Sequence, residues 1–212
     1  LATADEESSM AGAQALVKAG VPKARRAVIG EPTGLRPVSL HKGIMVEKLS
    51  VIGHSGHSSD PGFVIDYPTL NLGCIHGGDN ANRICGDCYL AFEIRPVPGM
   101  DLDQLQTDLE RQIASIANAD KVDWHLDKLL VPPFCAEDHS ELVALCETLT
   151  GHTAQSVAFA TEAPYLQQLG MDVVVLGPGD IDVAHQPDEY LALDRVQPTI
   201  DFLSQLIGRC CL

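Results

Sequence analysis

The order of apolar patterns changes twice along the chain, and this change is the strongest constraint on its fold. Both ends alternate short apolar strands with amphipathic helices, as α/β proteins do. The interior, residues 41–129, instead contains three strands in succession followed by a helix. We therefore predict an α/β domain formed by residues 1–40 and 130–212, interrupted by an α+β domain formed by residues 41–129.

The individual elements follow from periodicity and from the residues that begin and end helices. The predicted helices are 9–19, 101–118, 138–150 and 194–208, and the predicted strands are 27–30, 44–53, 67–75, 88–95 and 172–176. Asp101 is expected to cap the second helix. Asp138 and Glu141 have the spacing of a capping box at the start of the third helix.

Composition excludes several classes of partner. The chain has 212 residues, of which 45% are hydrophobic, so it is long and apolar enough to bury a core. Its net charge of -15 repels nucleic-acid phosphates and anionic lipid, so neither nucleic acid nor a membrane surface is an expected partner. The acidity favours solubility, or alternatively attracts a cationic substrate.

The seven cysteines are an odd number without the regular spacing of a secreted disulfide framework, which indicates a cytoplasmic protein. Cys85 and Cys88 have a Cys-x-x-Cys spacing that also occurs in zinc ribbons and redox motifs. No second pair follows them, so we favour structural thiols.

Glu6 and Glu7 are adjacent carboxylates between a short apolar strand and a small-residue helix. In that position one carboxylate can bind a cation while its neighbour accepts a proton from water, which indicates metal-assisted hydrolysis. The alternative is that both side chains only favour the positive end of the helix dipole.

Glu31 and His185 each follow an apolar strand and lie in a loop. Sites of α/β proteins form at the carboxyl ends of strands, and carboxylate and imidazole are both zinc ligands. For each residue on its own, an ordinary surface position is the simpler interpretation.

Other candidates are weaker. Arg95 is able to bind a substrate carboxylate, but a surface ion pair with Glu93 is the simpler interpretation. Glu162 is suited to a basic substrate group or to a helix start. Gly179, in a Gly-Pro-Gly segment, allows close approach of a ligand or merely forms a turn.

Several motifs together resemble the carboxyl-terminal part of the two-zinc, M20-type family of peptidases and deacylases, nearly from end to end. They are Ala-Asp-Glu-Glu-Ser-Ser-Met-Ala-Gly at 4–12, Gly-Glu-Pro-Thr at 30–33, Gly-His-Ser-Gly-His-Ser-Ser-Asp-Pro at 53–61, Tyr-Pro-Thr-Leu-Asn-Leu-Gly at 67–73, Asn-Arg-Ile-Cys at 82–85, Ile-Arg-Pro at 94–96 and Ala-His-Gln-Pro-Asp-Glu-Tyr at 184–190. The resemblance implies an aminopeptidase-like catalytic domain interrupted by a ferredoxin-like lid and dimerisation domain.

The resemblance assigns roles to the candidate residues. Glu6 is expected to be the general base, Glu7 and His185 ligands of one metal, and Glu31 a ligand of the other. His57 is expected to reach the partner's active site in a homodimer and to stabilise the oxyanion. Two divalent ions are implied, with zinc preferred over cobalt or manganese.

Substrate contacts are likewise implied by the resemblance. Arg95 would bind the substrate carboxylate and Asn82 would donate a hydrogen bond nearby. Glu162 and Gly179 would shape the pocket for an N-acyl amino acid.

The implied reaction removes the acetyl group from N2-acetyl-L-ornithine to give L-ornithine and acetate for arginine biosynthesis. Deacetylation of acetylcitrulline and desuccinylation of succinyl-diaminopimelate are the alternatives within the family. A non-catalytic fragment that dimerises through the lid is the alternative of another class.

The chain departs from the family pattern in two places. It lacks the upstream histidine-x-aspartate motif and the aspartate that bridges the metals, so we expect it to be part of a longer protein and to catalyse poorly alone. Pro61 runs directly into Gly62, where the family has a helix, so we expect some tens of residues to be absent at that junction.

Overall fold

The computed structural model describes residues 2–48, 63, 65–78, 82, 88–120 and 123–211. The predicted junction at Pro61 and Gly62, together with His57, lies outside these residues. The helices are α1 (Ala11–Ala19), α2 (Leu102–Asp120), α3 (Glu141–Thr150), α4 (Ala163–Gln168) and α5 (Val196–Cys211). The strands are β1 (Arg26–Ile29), β2 (Val38–His41), β3 (Ile44–Lys48), β4 (Thr69–Gly77), β5 (Cys88–Arg95), β6 (Asp127–Val131), β7 (Phe134–Cys135), β8 (Gln155–Val157) and β9 (Asp172–Val175).

The chain divides into two compact units. The first comprises Leu1–His41, Phe134–Val157 and Thr161–Leu212, and the second comprises Lys42–Pro133 and Ala158–Ala160. Both contain helices and sheet, which agrees with the predicted mixture of α and β structure. The predicted domain boundaries and the lid role of the interior segment stay predictions.

A mixed five-stranded sheet forms the centre of the first unit. Its order is β1-β9-β2-β7, and β8 also pairs with β2. β1 and β9 are parallel, whereas β2 is antiparallel to β9 and β7. The core includes Val173 and Val175, which pack with α4, and Val174, which packs with α3 and α5. Alternate residues of β9 thus bury both faces of the strand.

An antiparallel sheet forms the second unit, in the order β4-β5-β3-β6. Phe92 of β5 and Ile113 of α2 are buried against each other, with Leu90 and Ile94 packed beside them. The face of β5 that carries Leu90, Phe92 and Ile94 is therefore the face that α2 covers.

The structure confirms one predicted helix cap and contradicts another. Asp101 accepts a hydrogen bond from the Gln104 amide at 2.8 Å, which confirms it as a cap. The capping box at Asp138 is wrong, because Ser140 caps α3 by accepting from the Val143 amide. Five elements are not predicted from the sequence, namely β2, β6, β7, β8 and α4.

Among the residues that the structure describes, we find no helix with the length and apolar character needed to cross a membrane.

Candidate active site

The segment that carries Glu6 and Glu7 is a compact turn before α1. Asp5 and Met10 both have positive φ, and the Met10 amide donates to the Asp5 carbonyl at 2.7 Å. Gly12 permits the turn to fold back onto the helix, since a Cβ at that position would lie 2.4 Å from the Ala4 nitrogen. The predicted helix therefore begins at Ala11, two residues later than expected, and the carboxylates precede it.

Glu31 lies in the loop that follows β1, as the sequence predicts. This loop is hydrogen-bonded to the loop after β9: the Gly34 amide donates to the Gly179 carbonyl at 2.6 Å, and the Leu35 amide donates to the Gly177 carbonyl at 2.8 Å. A Cβ on Gly177 would lie 2.4 Å from the Glu31 carbonyl oxygen. Glycine is therefore required for the close approach that fixes the Glu31 backbone.

Gly179 has a local structural explanation. A Cβ added there would lie 2.7 Å from the Cβ of Pro32. Its predicted part in the substrate pocket stays a prediction, because this contact alone accounts for the glycine.

His185 lies beside Glu7. Its Nε2 is 3.2 Å from Glu7 Oε1, and both side chains are about three-quarters exposed, at 72% and 73%. The His185 backbone has a φ of 60°, and its amide donates to Glu189 Oε2 at 2.9 Å. Two residues that are 178 positions apart, and that the family resemblance assigns to one metal, are thus neighbours.

The carboxylates perturb one another. The pKa of Glu31 is raised to about 7. Burial is the largest cause, the negative charges of Glu6, Glu7 and Glu162 add to it, and His185 opposes them. The pKa of Glu6 is raised by burial first and then by Glu7 and Glu162, again against His185. Glu7, Glu162 and His185 therefore act electrostatically on both Glu6 and Glu31. We call the four glutamates, Glu6, Glu7, Glu31 and Glu162, the acidic group.

Glu162 is the buried member of this group. It is 8% exposed and accepts a hydrogen bond from the Thr3 hydroxyl at 2.5 Å. It stands at the start of α4, but its side chain does not cap the helix. The Thr161 hydroxyl accepts from the Ala163 amide instead, at 3.1 Å.

Thr3 and Thr33 contribute to the site without having been predicted to do so. Thr33 is buried, and its hydroxyl accepts from the Gly177 amide at 3.2 Å. Thr33 belongs to a motif noticed in the sequence, whereas Thr3 gives no signal because its partner Glu162 is 159 positions away.

The remaining candidates belong to the second unit. Arg95 Nε donates to Glu93 Oε1 at 2.8 Å, so the surface ion pair that the sequence favours is present. The Arg95 guanidinium also contacts the Ala158 carbonyl at 3.4 Å. Asn82 is exposed. Substrate roles for both residues stay predictions.

The donor chemistry fits divalent cations, although the described residues contain no group of three or more side chains placed to hold one. Carboxylate oxygens and an imidazole nitrogen are the ligands that zinc accepts. The observation in favour of the fit is that burial, and then repulsion between the carboxylates, raises the pKa values of Glu6 and Glu31, because a bound cation would stabilise the charged carboxylates.

Known proteins are similar over nearly the whole chain. The sequence profile described as Peptidase family M20/M25/M40 matches residues 1–209. A protein from Edwardsiella ictaluri named acetylornithine deacetylase is 41% identical, with 100% of this chain and 63% of that protein aligned. A protein of the same name from Vibrio vulnificus is also 41% identical, over 100% of this chain and 64% of that protein.

The chain therefore spans a little under two thirds of the length of these relatives. The alignment with the Edwardsiella protein extends over 244 positions, more than the 212 residues present here. The relatives thus carry residues, within the aligned region as well as outside it, that have no counterpart in this chain.

Solved structures show the same fold. A tripeptidase from Staphylococcus aureus superposes with a TM-score of 0.70 at 18% identity, covering 98% of this chain and 62% of that one. The Bacillus subtilis YXEP protein, described as a dinuclear metal-binding peptidase of the M20 family, gives a TM-score of 0.64 at 13% identity over 95% of this chain and 62% of its own.

Proposed function

Because the chain belongs to Peptidase family M20/M25/M40, we propose that it supplies part of the active site of a metal-dependent hydrolase. The proposed reaction removes the acetyl group from N2-acetyl-L-ornithine and gives L-ornithine and acetate for arginine biosynthesis. The observation that supports this choice of substrate is the 41% identity, over the whole chain, to proteins named acetylornithine deacetylase.

Glu7, His185 and Glu31 are the proposed metal ligands. Glu7 and His185 are within 3.2 Å of each other, which supports their assignment to one ion, and Glu31 would serve the other. Two divalent ions would supply Lewis-acid polarisation of the amide carbonyl and a lowered pKa for water. Zinc is the proposed metal, and cobalt or manganese would suit the same donors.

Glu6 is the proposed general base. Its pKa is raised by burial and by Glu7, which brings the carboxylate closer to the range in which it can both take a proton and return it. In this reaction Glu6 removes a proton from the attacking water and delivers it to the nitrogen of the leaving ornithine. The Glu6 carboxylate must lie near the proposed metal ligands to act on this water. Its neighbour in the sequence is the proposed ligand Glu7, whose charge acts on it.

The acidic group also suits the substrate. Glu162 adds a buried negative charge whose effect reaches both Glu6 and Glu31. Ornithine carries an ammonium group on its side chain, so we assign Glu162 and the Gly179 loop to that end of the pocket. His57, Asn82 and Arg95 retain the oxyanion and carboxylate roles that the family resemblance implies, as proposals.

A cytoplasmic homodimer is part of the proposal. Cys74, Cys146, Cys210 and Cys211 are free thiols, which supports a reducing compartment. Among the described strands, β4 lies at the edge of its sheet, and its nine residues include the exposed apolar side chains of Leu70 and Leu72. An exposed apolar edge of this kind is able to pair with another chain, and a second copy is the proposed partner.

The test uses a chimera in which this chain replaces the aligned region of the Edwardsiella ictaluri relative. With zinc or cobalt added, we expect the chimera to release ornithine from N2-acetylornithine faster than it hydrolyses N2-acetylcitrulline or succinyl-diaminopimelate. The intact relative is the positive control. A folded chimera that prefers either competitor, or releases nothing, would contradict the proposed substrate or the proposed chemistry.

The 212-residue chain alone is the second sample. We expect little or no ornithine release from it, since it spans only 63% of the Edwardsiella relative. This result, with an active chimera, distinguishes a partial active site from a polypeptide that only dimerises, for which the chimera would also be inactive.

A further inference from the structure

The helix α5 has two apolar faces, and only one of them is packed. Phe202 and Leu206 are buried against α3 and β9. A second stripe is exposed, consisting of Val196, Ile200, Leu203 and Ile207, with exposed fractions of 38%, 50%, 40% and 56%. These positions follow each other at intervals of four, three and four residues, so they form one continuous line along the helix.

An open cleft adjoins the end of this stripe. Its volume is about 340 Å³, and it is lined by Ile207, Leu206 and Cys210 of α5, by Leu142 of α3 and by residues 24–28 leading into β1. Ile207 belongs to both the stripe and the cleft, so the two are continuous, and Arg25 and Arg26 are the charged residues of the cleft lining.

The strand β1 has an open edge beside the same cleft. It pairs with β9 on one side, and no described strand pairs with its other side. The pairing with β9 is parallel, and parallel strands are normally covered on both faces and flanked by further structure. Its four residues are each only half-buried, unlike the three buried valines of β9.

Three elements of the first unit thus point to one missing neighbour. Within the described part of the chain, the outer edge of β1 has no strand partner, the exposed stripe of α5 has no packing partner, and the cleft between them is open. A soluble protein seldom leaves a contiguous apolar surface of this kind uncovered. A polypeptide that adds a strand to β1 and a helix over α5 would satisfy all three.

We propose that this surface, formed by the α5 stripe, the cleft and the β1 edge, binds the polypeptide segment that the relatives carry outside the region aligned with this chain. More than a third of the Edwardsiella relative lies outside the alignment, which is enough chain to form a strand and a helix. This inference concerns an interaction surface and does not depend on the proposed reaction.

The first test is co-expression of this chain with the affinity-tagged unaligned segment of the Edwardsiella relative. We expect the two to co-purify. The double variant Ile200→Glu with Leu203→Glu should reduce the amount of chain recovered at least about tenfold, because it places charges at the centre of the buried surface. Both residues are exposed in the chain alone, so circular dichroism should show that the variant folds.

The matched control is Ile116→Glu on α2 in the second unit. Ile116 is 38% exposed, close to the 40% of Leu203, and should not affect recovery. Equal recovery of the double variant and the control, or no co-purification when both polypeptides are soluble, would overturn the proposal. Self-association of the chain that the double variant abolishes, without segment binding, would assign the surface to a second copy instead.

Hydrogen exchange provides an independent measurement. In the chimera, the backbone amides of residues 24–29 and of α5 should exchange more slowly than in the 212-residue chain. The exchange rates of the α2 amides should not change. Unchanged exchange at β1 and α5 would contradict the proposal whether or not the chimera is active.

Discussion

Glu31 shows how burial and crowding of like charges set the properties of the acidic group. Desolvation is the largest cause of its raised pKa, and the carboxylates of Glu6 and Glu7 follow. A carboxylate in this state is costly in the folded protein unless it is protonated or bound to a cation. The same features that make Glu31 a suitable ligand therefore reduce the stability of the metal-free fold.

This cost predicts a pH dependence. The pKa of Glu31 is about 7 in the folded state against 4.5 ordinarily, so between these values the folded state binds more protons than the unfolded state. Its contribution to the free energy of unfolding therefore falls as pH rises through that window. Urea unfolding in chelator, at about pH 5 and about pH 7.5, should show a smaller loss of stability for Glu31→Gln than for the unchanged chain. A Glu137→Gln control, at an exposed carboxylate, should behave like the unchanged chain, and identical pH dependence for Glu31→Gln would contradict the assigned environment.

Cys146 is predicted to be inert in the native protein. Burial raises the pKa of its thiol to about 12, and the thiolate is the reactive form. Iodoacetamide at mildly alkaline pH should modify the exposed Cys211 but leave Cys146 unmodified until urea is added. Peptide mapping by mass spectrometry checks this, and rapid native modification of Cys146 would show that the α3–α5 packing is wrong.

Positions at strand ends were predictable and contacts between distant residues were not. Glu31 and His185 follow β1 and β9, and their apolar strands are evident in the sequence. The hydrogen bond between Thr3 and Glu162 depends on how α4 is placed, which no local pattern encodes. The metal roles came from family resemblance, since a loop glutamate and a loop histidine are individually uninformative.

At the scale of elements, α3 shows why spacing alone did not locate a cap. Ser140 accepts from the Val143 amide and donates to Asp172 Oδ1 at 2.6 Å, while Asp172 also accepts from the Leu142 amide. A residue of β9 thus helps to cap a helix 30 positions away, so the first turn of α3 begins after Ser140 rather than at Asp138.

This arrangement makes a prediction for stability. Ser140→Ala should lower the free energy of unfolding by about 1 kcal/mol or slightly more, because it removes the cap and one bond to Asp172. Asp138→Ala should change it by less than about 0.5 kcal/mol, since Asp138 is exposed and does not cap. Chemical denaturation of both variants provides the comparison, and the reverse order would restore the capping box.

The elements that the sequence does not predict are short. β7 has two residues, β8 three, β2 four and β6 five, and α4 has six with a proline in its first turn. Segments of this length do not display a helical or strand period, and only their tertiary neighbours define them. The longer α2 and β5 have clear periods and were predicted within two residues of their observed ends.

For the whole molecule, dimerisation through β4 is the prediction that follows from the second unit. Light scattering after size exclusion should give twice the 22.7 kDa chain mass. Replacing Leu70 and Leu72 by lysine should shift the protein to the monomer, because both side chains are exposed on the edge strand. Ile116→Lys is the control on α2. A monomeric parent chain, or a dimer unaffected by both lysines, would exclude this interface.

At the scale of the whole molecule, the acidic group is one part of the proposed active site. The chain carries the proposed base and three proposed metal ligands, and the relatives contain further polypeptide that it lacks. The central claim is that Glu6 acts on protons whereas Glu7, His185 and Glu31 bind metal, so the two kinds of residue should be separable by measurement.

The most direct measurement is metal content and ornithine release in the chimera carrying Glu6→Gln or His185→Ala. Glu6→Gln should retain its metal while release falls about 100- to 10,000-fold, as expected for loss of a general base. His185→Ala should lose one metal equivalent along with activity, and Glu137→Gln should match the parent. Full activity of Glu6→Gln, or a full metal complement in His185→Ala, would contradict the account.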